Sequence, residues 1–395
     1  MIKTNDITKQ CTQWQPKLAA LRRQLHQFPE ITPNLSQTKS LLIDYLASLP
    51  LKRQTVKNNN TLCFDLKGKK KGPMILLCAA MDGSSIRECS NEKYCSQISG
   101  QSHSLAHDAQ MACLATTLHF LSQYKNDLCG TVRAVFLAGE QDHSGATRVI
   151  ESNLLKDVQM AFSLDFDNQI EKHCVEYHYG ISKPRVDEIL IECTGQPDQP
   201  LTTLTSSNPV EIAANLIRDL PQSLRKEFGD LTPLSMQFLQ INASKAFHFQ
   251  PSQIRIKGRL YAFENDLALK AIGFIQNTIQ TQFQHSNTNI KTSRLCPPLM
   301  NNTGWLNYVL SVLGHIKSPN KLKEQTRPRL MGDGFAHFNQ FVPSVKISVG
   351  CKNEINRLAI DEDSLTDGLS ILSTLVIKHL GEANKNIILA KFNKK

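Results

Sequence analysis

Apolar residues in the first half of the chain alternate between helical spacing and short continuous runs. Residues 14–49 show helical spacing on both sides of the break PEITPN, which predicts two helices. The runs 61–66 and 74–82 predict strands, and the second is continuous enough for a strand buried on both faces. MACLATTLHFLSQY, which begins at Met111, then predicts an amphipathic helix.

The alternation continues with TVRAVFLAGE (131–140) and QMAFSLDFD (159–167), which predict two further buried strands. Such alternation is typical of an α/β layer with mainly parallel strands. Asp82, Glu140 and Asp165 stand at the carboxyl ends of three predicted strands. Ligands of such sheets bind at this edge, so the three acids are candidate site residues.

The pattern changes from about Lys183, where a strand, a helix, two strands and a second helix follow. This order predicts a small separate α+β domain with its sheet on one face and two helices on the other. The predicted fold class is therefore α/β. Residues 1–182 and 295–395 form a domain around a central mixed sheet, and residues 183–294 form an inserted smaller α+β domain.

Composition narrows the class of protein. At 395 residues the chain exceeds the ~250–300 residues at which a single core stops growing, which agrees with two domains. We expect no membrane association, because no apolar run approaches the ~18–20 residues that span a bilayer. The N-terminus also lacks the apolar core of a secretory signal. The eleven cysteines form no C-x-x-C pair, which favours reduced thiols and a cytoplasmic protein.

The formal net charge of +10 raises the question of nucleic-acid binding. The basic residues are mostly dispersed, and the dense cluster KGKKKG (67–72) carries no aromatic side chains on which bases could stack. This cluster lies between two predicted strands and is interpreted as a solvated hairpin turn. Nucleic-acid binding, which would show a steep salt dependence, is therefore disfavoured.

The stretch GQSHSLAHDAQMA (100–112) carries the most informative chemistry in the chain. His107 and Asp108 stand directly before a predicted helix, and His103 lies four residues upstream of His107, as at the start of a metal site. Leu105, which cannot bind a metal, stands two residues before His107. The stretch is either a working catalytic centre or the remains of one.

Six motifs follow one another along the chain: LRRQLHQFPEIT, Met81–Asp82, SHSLAHDAQMA, GTVRAVFLAGEQDHSGA, CPPLMNN and MGDGFAHF. In order and spacing they resemble the zinc-dependent aminoacylases and carboxypeptidases, family M20 of the metallopeptidases. The branch that they resemble comprises the hippurate hydrolases and auxin-conjugate amidohydrolases. The resemblance implies a catalytic domain with metals at strand ends and an inserted lid domain that mediates dimers. It also implies hydrolysis of N-acyl amino acids by two metal ions and a glutamate base.

Carried onto this chain, the resemblance places four metal-ligand positions and the base at Leu105, His107, Glu140, Gln141 and Asp165. His107 is a retained ligand, and Glu140 is the retained general base. The family has Cys in place of Leu105, Glu in place of Gln141 and His in place of Asp165. Asp165 is a carboxylate of the kind that related branches use at this position.

Other family residues are missing from this chain. No histidine lies between Asn353 and Asp361, where the C-terminal ligand is expected, or in GQPDQPL (195–201), where the lid histidine is expected. Tyr261 stands in place of a lid arginine. A bound zinc needs three or four donors, so we expect a degenerate metal site and no cofactor.

Two functions are compatible with these residues. The first is a catalytically inactive homologue, or pseudoenzyme, in which Glu140 is vestigial. It would bind a small ligand in the cleft where the family binds its substrate, or pair with another subunit. A homodimer through the inserted domain is the expected assembly. The alternative is an active amidohydrolase of N-acyl amino acids or related small amides that uses one zinc, manganese or nickel ion. That ion would be held by His107, Asp165 and either His103 or Asp82.

The inactive interpretation makes local predictions about side chains. Leu105 is expected to fill the space of the lost thiolate and metal, and His107 to be neutral or held by Asp82 or Asp165. Asp82 and Asp108 are expected to be supporting carboxylates that orient His107 and backbone amides. Five further histidines are expected at the surface or partly buried: His103, His143, His173, His178 and His337.

Overall fold

A computed structural model of the chain describes its residues in nine stretches. They are residues 4–57, 60–90, 92–139, 143–194, 209–244, 253–282, 287–325, 329–353 and 359–381. The chain forms two compact units. The first comprises Met1–Gly180, Met300–Arg327 and Gly334–Lys395, and the second comprises Ile181–Leu299 and Pro328–Asp333.

The regular elements are numbered in chain order. The strands are β1 (Lys52–Gln54), β2 (Leu62–Lys67), β3 (Lys70–Ala80), β4 (Cys129–Leu137), β5 (Val158–Asp167), β6 (Val175–Tyr177), β7 (Gly180–Lys183), β8 (Arg185–Thr194), β9 (Leu234–Ala243), β10 (Gln253–Ala262), β11 (Asn287–Cys296), β12 (Leu299–Asn301), β13 (Leu322–Glu324) and β14 (Ser344–Gly350). The helices are α1 (Thr4–Thr12), α2 (Gln15–Gln27), α3 (Ser36–Leu46), α4 (His107–Ser122), α5 (Ser144–Glu151), α6 (Pro209–Phe228), α7 (Asn265–Gln282), α8 (Thr303–Leu313) and α9 (Leu365–Leu380). Among the described residues, no helix combines the length and the apolar character needed to cross a bilayer.

The first unit is built on an eight-stranded mixed sheet with the order β1-β2-β4-β3-β5-β14-β6-β13. Its centre is parallel, because β3 runs parallel to β4 and β5, and β14 runs parallel to β5. At one side, β2 runs antiparallel to both β4 and β1. Residues 75–79 of β3 are all buried, as the continuous apolar run predicts. The prediction of a mixed central sheet is confirmed.

The predicted hairpin at KGKKKG is wrong. Only Gly68 and Lys69 separate β2 from β3, yet the two strands do not pair with each other. β4 lies between them, antiparallel to β2 and parallel to β3. The lysines of the cluster are nevertheless exposed, as expected for a solvated turn.

The central helix of the first unit, α4, is more deeply buried than its predicted amphipathic pattern suggests. Every residue of α4 from His107 to Leu118 is buried. α2, α3 and α9 pack against it, and so do β3, β4 and β5. A helix that is covered on all sides carries apolar residues around its whole circumference, so the prediction of a solvent-facing side is wrong.

The second unit is a smaller α+β body with its own core. Its antiparallel sheet has the order β11-β8-β10-β9, and α6 and α7 pack together against it. The core consists of alternate residues of β8 and β10 together with one stripe from each helix. The unit also includes Pro328–Asp333, which the sequence pattern assigned to the other domain. An ion pair ties this segment to the second unit, because Asp333 Oδ2 lies 2.6 Å from Lys183 Nζ and both side chains are buried.

Candidate functional site

The first turn of α4 faces the carboxyl ends of the central strands. Ala106 precedes it with a left-handed backbone (φ 54°), which turns the incoming loop into the helix. His107 and Gln110 are three residues apart and therefore share one helix face. Gln110 accepts a hydrogen bond from the Ala80 N–H at 3.3 Å and donates one to Asp165 Oδ1 at 3.1 Å. It thereby ties α4 to β3 and β5.

His107 is buried, and its Nδ1 lies 2.7 Å from the main-chain carbonyl oxygen of Asp82. A carbonyl oxygen only accepts, so Nδ1 carries the hydrogen and Nε2 keeps a lone pair in the neutral ring. Burial lowers the pKa of His107, and the positive charge of Lys346 lowers it further. The hydrogen bond to Asp82 and the negative charge of Asp165 raise the pKa, but the net shift is downward. The imidazole is therefore neutral at pH 7 and is held by a carbonyl rather than by a carboxylate.

Asp165 on β5 forms an ion pair with Lys346 on β14. Lys346 Nζ lies 2.8 Å from Asp165 Oδ1, and the two side chains are 9% and 19% exposed. Lys346 lies opposite Ser163 in the parallel pairing, two residues before Asp165, so both side chains leave the same face of the sheet. Asn301 fixes the Lys346 main chain, accepting from its N–H at 2.7 Å and donating to its carbonyl at 3.0 Å. A largely buried ammonium thus compensates the Asp165 charge.

The Asp82 carboxylate holds the loop between α2 and α3. Its Oδ1 accepts hydrogen bonds from both the N–H and the hydroxyl of Thr32, the former at 2.9 Å. The Thr32 hydroxyl oxygen in turn accepts from the Gly139 N–H at 2.8 Å, just beyond β4. The carboxylate therefore orients a backbone amide, while His107 is oriented by the main-chain carbonyl of the same residue.

Leu105 does not fill a buried space. Its side chain is 40% exposed, so the expectation that it replaces the lost thiolate and metal with buried volume is wrong. The neighbouring Ser104 donates a hydrogen bond to the Ser84 hydroxyl at 2.9 Å, which keeps this stretch at the surface. Leu105, which the motif resemblance places at the family's cysteine position, therefore presents an apolar side chain to solvent.

Asp108 belongs to a buried charge cluster that the sequence did not reveal. Its Oδ2 lies 2.7 Å from Arg22 Nε and 2.8 Å from His26 Nδ1. Burial acts to raise the pKa of Asp108, but the charges of Arg22 and His26 hold it well below its usual range. His26 Nε2 also lies 3.1 Å from Glu88, and the Arg22 guanidinium reaches Glu362 at 3.0 Å. The cluster joins α2, the loop after β3, the start of α4 and the turn before α9.

His103 differs from the sequence-based expectation, because it is buried. Neither of its ring nitrogens has a hydrogen-bond partner within the described part of the chain. Burial lowers its pKa to about 4, so the ring is neutral in the folded protein. His143 is buried as well, whereas His173, His178 and His337 are exposed or partly exposed, as expected.

Several predicted site positions lie outside the described residues. They are Glu140, Gln141, the lid segment GQPDQPL and residues 354–358 of the C-terminal ligand region. Tyr261, at the position of the lid arginine, is described and is buried beside Val186 and Cys296. The roles assigned to Glu140 and Gln141 remain predictions.

Comparison with known proteins adds to this geometry. The model of Peptidase family M20/M25/M40 matches residues 77–378, which is more than half of the 395 residues. The chain belongs to this family. The match agrees with the fold and with the motifs that suggested it.

Relatives of this M20 chain are named as hydrolases and deacetylases of amino-acid derivatives. An IAA-amino acid hydrolase (ILR1-like 2) of Arabidopsis thaliana is 24% identical over 92% of this chain and 85% of its own length. An N-acetylcysteine deacetylase of Bacillus subtilis is 21% identical over 91% of this chain and 96% of its own length. A solved dinuclear metal-binding M20 peptidase of Bacillus subtilis superposes with a TM-score of 0.75 at 19% identity, covering 93% of this chain and 98% of its own.

The described residues of this M20 chain do not by themselves fit a dinuclear metal centre. No group of three or more His, Cys, Asp or Glu side chains that could hold a metal occurs among the described residues. His107 offers one free nitrogen, and the Asp165 carboxylate is already compensated by Lys346. A bound zinc needs three or four donors, so this pair is insufficient.

The family motifs led to His107 and Asp165 but not to Lys346. A signal was present in the sequence, since PSVKISVG places one lysine inside a strand whose other residues are all uncharged. Lysine is almost never fully buried without a partner, so this position called for a buried carboxylate nearby. The two strands β5 and β14 supply that pair.

Proposed function

We propose that this M20 protein is a pseudoenzyme that binds small N-acyl amino acids without hydrolysing them through a two-metal centre. The observation that carries the proposal is the ion pair between Lys346 and Asp165. The resemblance to the family places Asp165 at a ligand position, and a ligand for a divalent metal must have its charge available. Here the charge is already matched by an ammonium within the fold.

Electrostatic energies favour the Lys346 ammonium over an added metal ion beside Asp165. Two like unit charges 4 Å apart repel by about 4 kcal/mol at an effective dielectric constant of 20, and a divalent ion doubles that figure. A metal bound to Asp165 must therefore overcome the Lys346 charge or displace a largely buried side chain. Two donors, His107 and Asp165, offer little to offset this cost.

The ligand class follows from the relatives by analogy. Their names describe conjugates of an amino acid with indole-3-acetic acid and an acetylated cysteine, both of which are N-acyl amino acids. The fold is shared with the solved dinuclear metal-binding M20 peptidase of Bacillus subtilis, which supports the analogy. We therefore propose that the same class of small molecule binds to this protein.

A homodimer through the second unit is part of the proposal. β9 is an edge strand of the four-stranded sheet, and Leu239 and Ile241 on it are exposed. An exposed edge with apolar side chains offers both unpaired backbone groups and apolar surface to a second strand. We also propose a reducing compartment such as the cytoplasm, which agrees with eleven free cysteines.

The test is a paired hydrolysis and binding experiment. The purified protein is incubated with N-acetylcysteine and with IAA-amino acid conjugates, with added zinc or manganese, while the Bacillus subtilis deacetylase serves as the positive control. Calorimetry measures binding of the same compounds. We expect saturable binding and no turnover above background.

Chelator-sensitive turnover that is lost in His107→Ala would overturn the proposal. That result would instead support the alternative of a one-metal amidohydrolase.

A further inference from the structure

We propose that the second unit carries a binding site for a small carboxylic acid with an apolar chain, in a cavity between α6 and β9. The inference goes beyond the proposed function, because residues of the second unit alone line this cavity. None of the motif residues that indicated the family is among them. The site is therefore independent of the strand-end residues of the first unit.

The cavity has the size and the apolar walls of a small-molecule site. Its volume is about 410 Å³, within the ~300–1,000 Å³ that is usual for ligand pockets. It reaches the core of the second unit, to which Leu224 and Met236 belong, while Leu330 lines it with a side chain that is 52% exposed. The apolar lining residues are Pro221, Leu224, Phe228, Leu234, Met236 and Leu330. An apolar chain can leave water against these side chains.

The turn between α6 and β9 holds the cavity in shape. α6 ends at Phe228, and Gly229 follows with a left-handed backbone (φ 92°) that ends the helix. The Gly229 N–H donates to the Arg225 carbonyl at 2.8 Å, and the Thr232 N–H donates to the Gly229 carbonyl at 3.2 Å. The Thr232 hydroxyl donates to the Phe228 carbonyl. A ligand therefore meets a formed site and spends little binding energy on ordering it.

Arg225 is the one charged residue among the described residues that line the cavity. It forms no ion pair with any residue that the structure describes. In contrast, Arg218 on the same helix is paired with Asp219, with Arg218 Nε 2.7 Å from Asp219 Oδ1. The Arg225 guanidinium is thus available to an anion that enters the cavity.

The polar groups favour a carboxylate as the charged end of the ligand. A planar guanidinium presents paired N–H donors that match the two oxygens of a carboxylate. A single cation compensates a single negative charge, whereas a phosphate monoester carries about −1.5 to −2. Ser235 and Gln237 also line the cavity and, two residues apart on β9, share one face of the strand. Their hydroxyl and amide groups supply further hydrogen-bond donors.

The first experiment measures binding of octanoate to the full-length protein by calorimetry. We expect saturable binding of one octanoate per chain. Octanol and octylamine have the same apolar chain without the carboxylate, and they should bind at least about tenfold more weakly.

Three variants test the residues that line the cavity. Arg225→Met removes the charge and should weaken octanoate binding about tenfold. Lys226→Met is the matched control, because Lys226 is the next residue, is equally exposed and does not line the cavity. It should bind octanoate as the wild type does. Leu330→Ala shortens an exposed apolar side chain of the cavity and should weaken octanoate binding without affecting folding.

Methionine-methyl NMR locates the bound octanoate. Met236 lines the cavity in the second unit, whereas Met111 lies in α4 of the first unit. Octanoate should shift the methyl signal of Met236, assigned with Met236→Leu, and should leave that of Met111 unchanged.

The inference is overturned if octanoate does not bind, if Arg225→Met binds it as the wild type does, or if the Met236 signal does not respond. A molecular mass that halves on addition of octanoate, measured by light scattering, would show that a second copy of the chain occupies the cavity. That result would also overturn the inference. None of these outcomes touches the proposed function, which fails on chelator-sensitive turnover of N-acyl amino acids.

Discussion

Arg22 and Asp108 are 86 residues apart in the chain, yet Arg22 Nε lies 2.7 Å from Asp108 Oδ2 in a buried ion pair. The pair connects α2 to the first turn of α4, directly beside His107. His26, one turn further along α2, contacts the same carboxylate oxygen. The geometry around His107 is thus maintained by an internal charge cluster that needs no metal.

Loss of Arg22 should destabilise the protein strongly. Arg22→Met leaves the Asp108 carboxylate buried without its main counter-charge, and breaking such a pair costs about 3–5 kcal/mol. Arg23→Met is the matched control, because Arg23 is 50% exposed and contacts the same Glu362. Its cost should stay below about 1 kcal/mol. Urea unfolding of both variants measures the difference, and equal losses would contradict this account of the cluster.

Acid should destabilise the fold through His103. Burial lowers the pKa of His103 to about 4. Below pH 6.5 this histidine therefore binds a proton in the unfolded chain but stays neutral in the folded protein. This contribution to stability is complete above pH 6.5 and is lost as the pH falls toward 4. Between pH 7.5 and pH 5 the loss should be about 2 kcal/mol.

The pH dependence can be assigned with His103→Phe, which keeps a ring and removes the titration. The variant should lose less stability than the wild type over the same interval, as measured by urea unfolding. His379 is an internal replicate, because burial also lowers its pKa to about 4. If stability depends on pH in both His→Phe variants as it does in the wild type, these two histidines do not cause the loss of stability in acid.

Restoring a single family ligand should not restore chemistry. Leu105→Cys should change the free energy of unfolding by no more than about 0.5 kcal/mol, because the side chain lies at the surface. It should also fail to hydrolyse N-acetylcysteine with added zinc, since Lys346 still compensates Asp165. Zinc-dependent turnover by this variant would contradict the account.

Assembly can be tested at the edge strand of the second unit. Ile241 on β9 is 45% exposed, and Ile241→Lys places a charge where a second strand is expected to pair. The variant should be monomeric by light scattering under conditions in which the wild type is dimeric. Leu231→Lys makes the same type of change at a residue that is 99% exposed, and it should leave the dimer intact. A wild type that is already monomeric would rule out the dimer.

Much of the fold could be predicted because the central strands carry local signals. The apolar runs that form β3, β4 and β5 are continuous, and a helix lies in each of the two connections between them. The complete burial of α4 is not predictable from its own sequence, because α2 and α9 cover its outer side. α9 comes from the other end of the chain. Likewise, the strand order that separates β2 from β3 depends on β4, which follows some sixty residues later.

The candidate site was predictable only in part. His107, Asp82 and Asp165 were identified from motifs, since strand ends and helix starts carry local patterns. The partners of these residues come from distant segments, such as Lys346 for Asp165 and Thr32 for Asp82. The exposure of Leu105 could not be predicted, because its motif predicts buried ligands and an apolar residue among them is expected to be buried as well.

The most direct test of the central claim is the metal content of the wild-type protein. The protein is purified without chelator, incubated with excess zinc or manganese, freed of unbound ions by gel filtration and analysed by elemental mass spectrometry. With Asp165 neutralised by Lys346, we predict far less than one metal ion per chain. Two tightly held ions per chain would contradict this account.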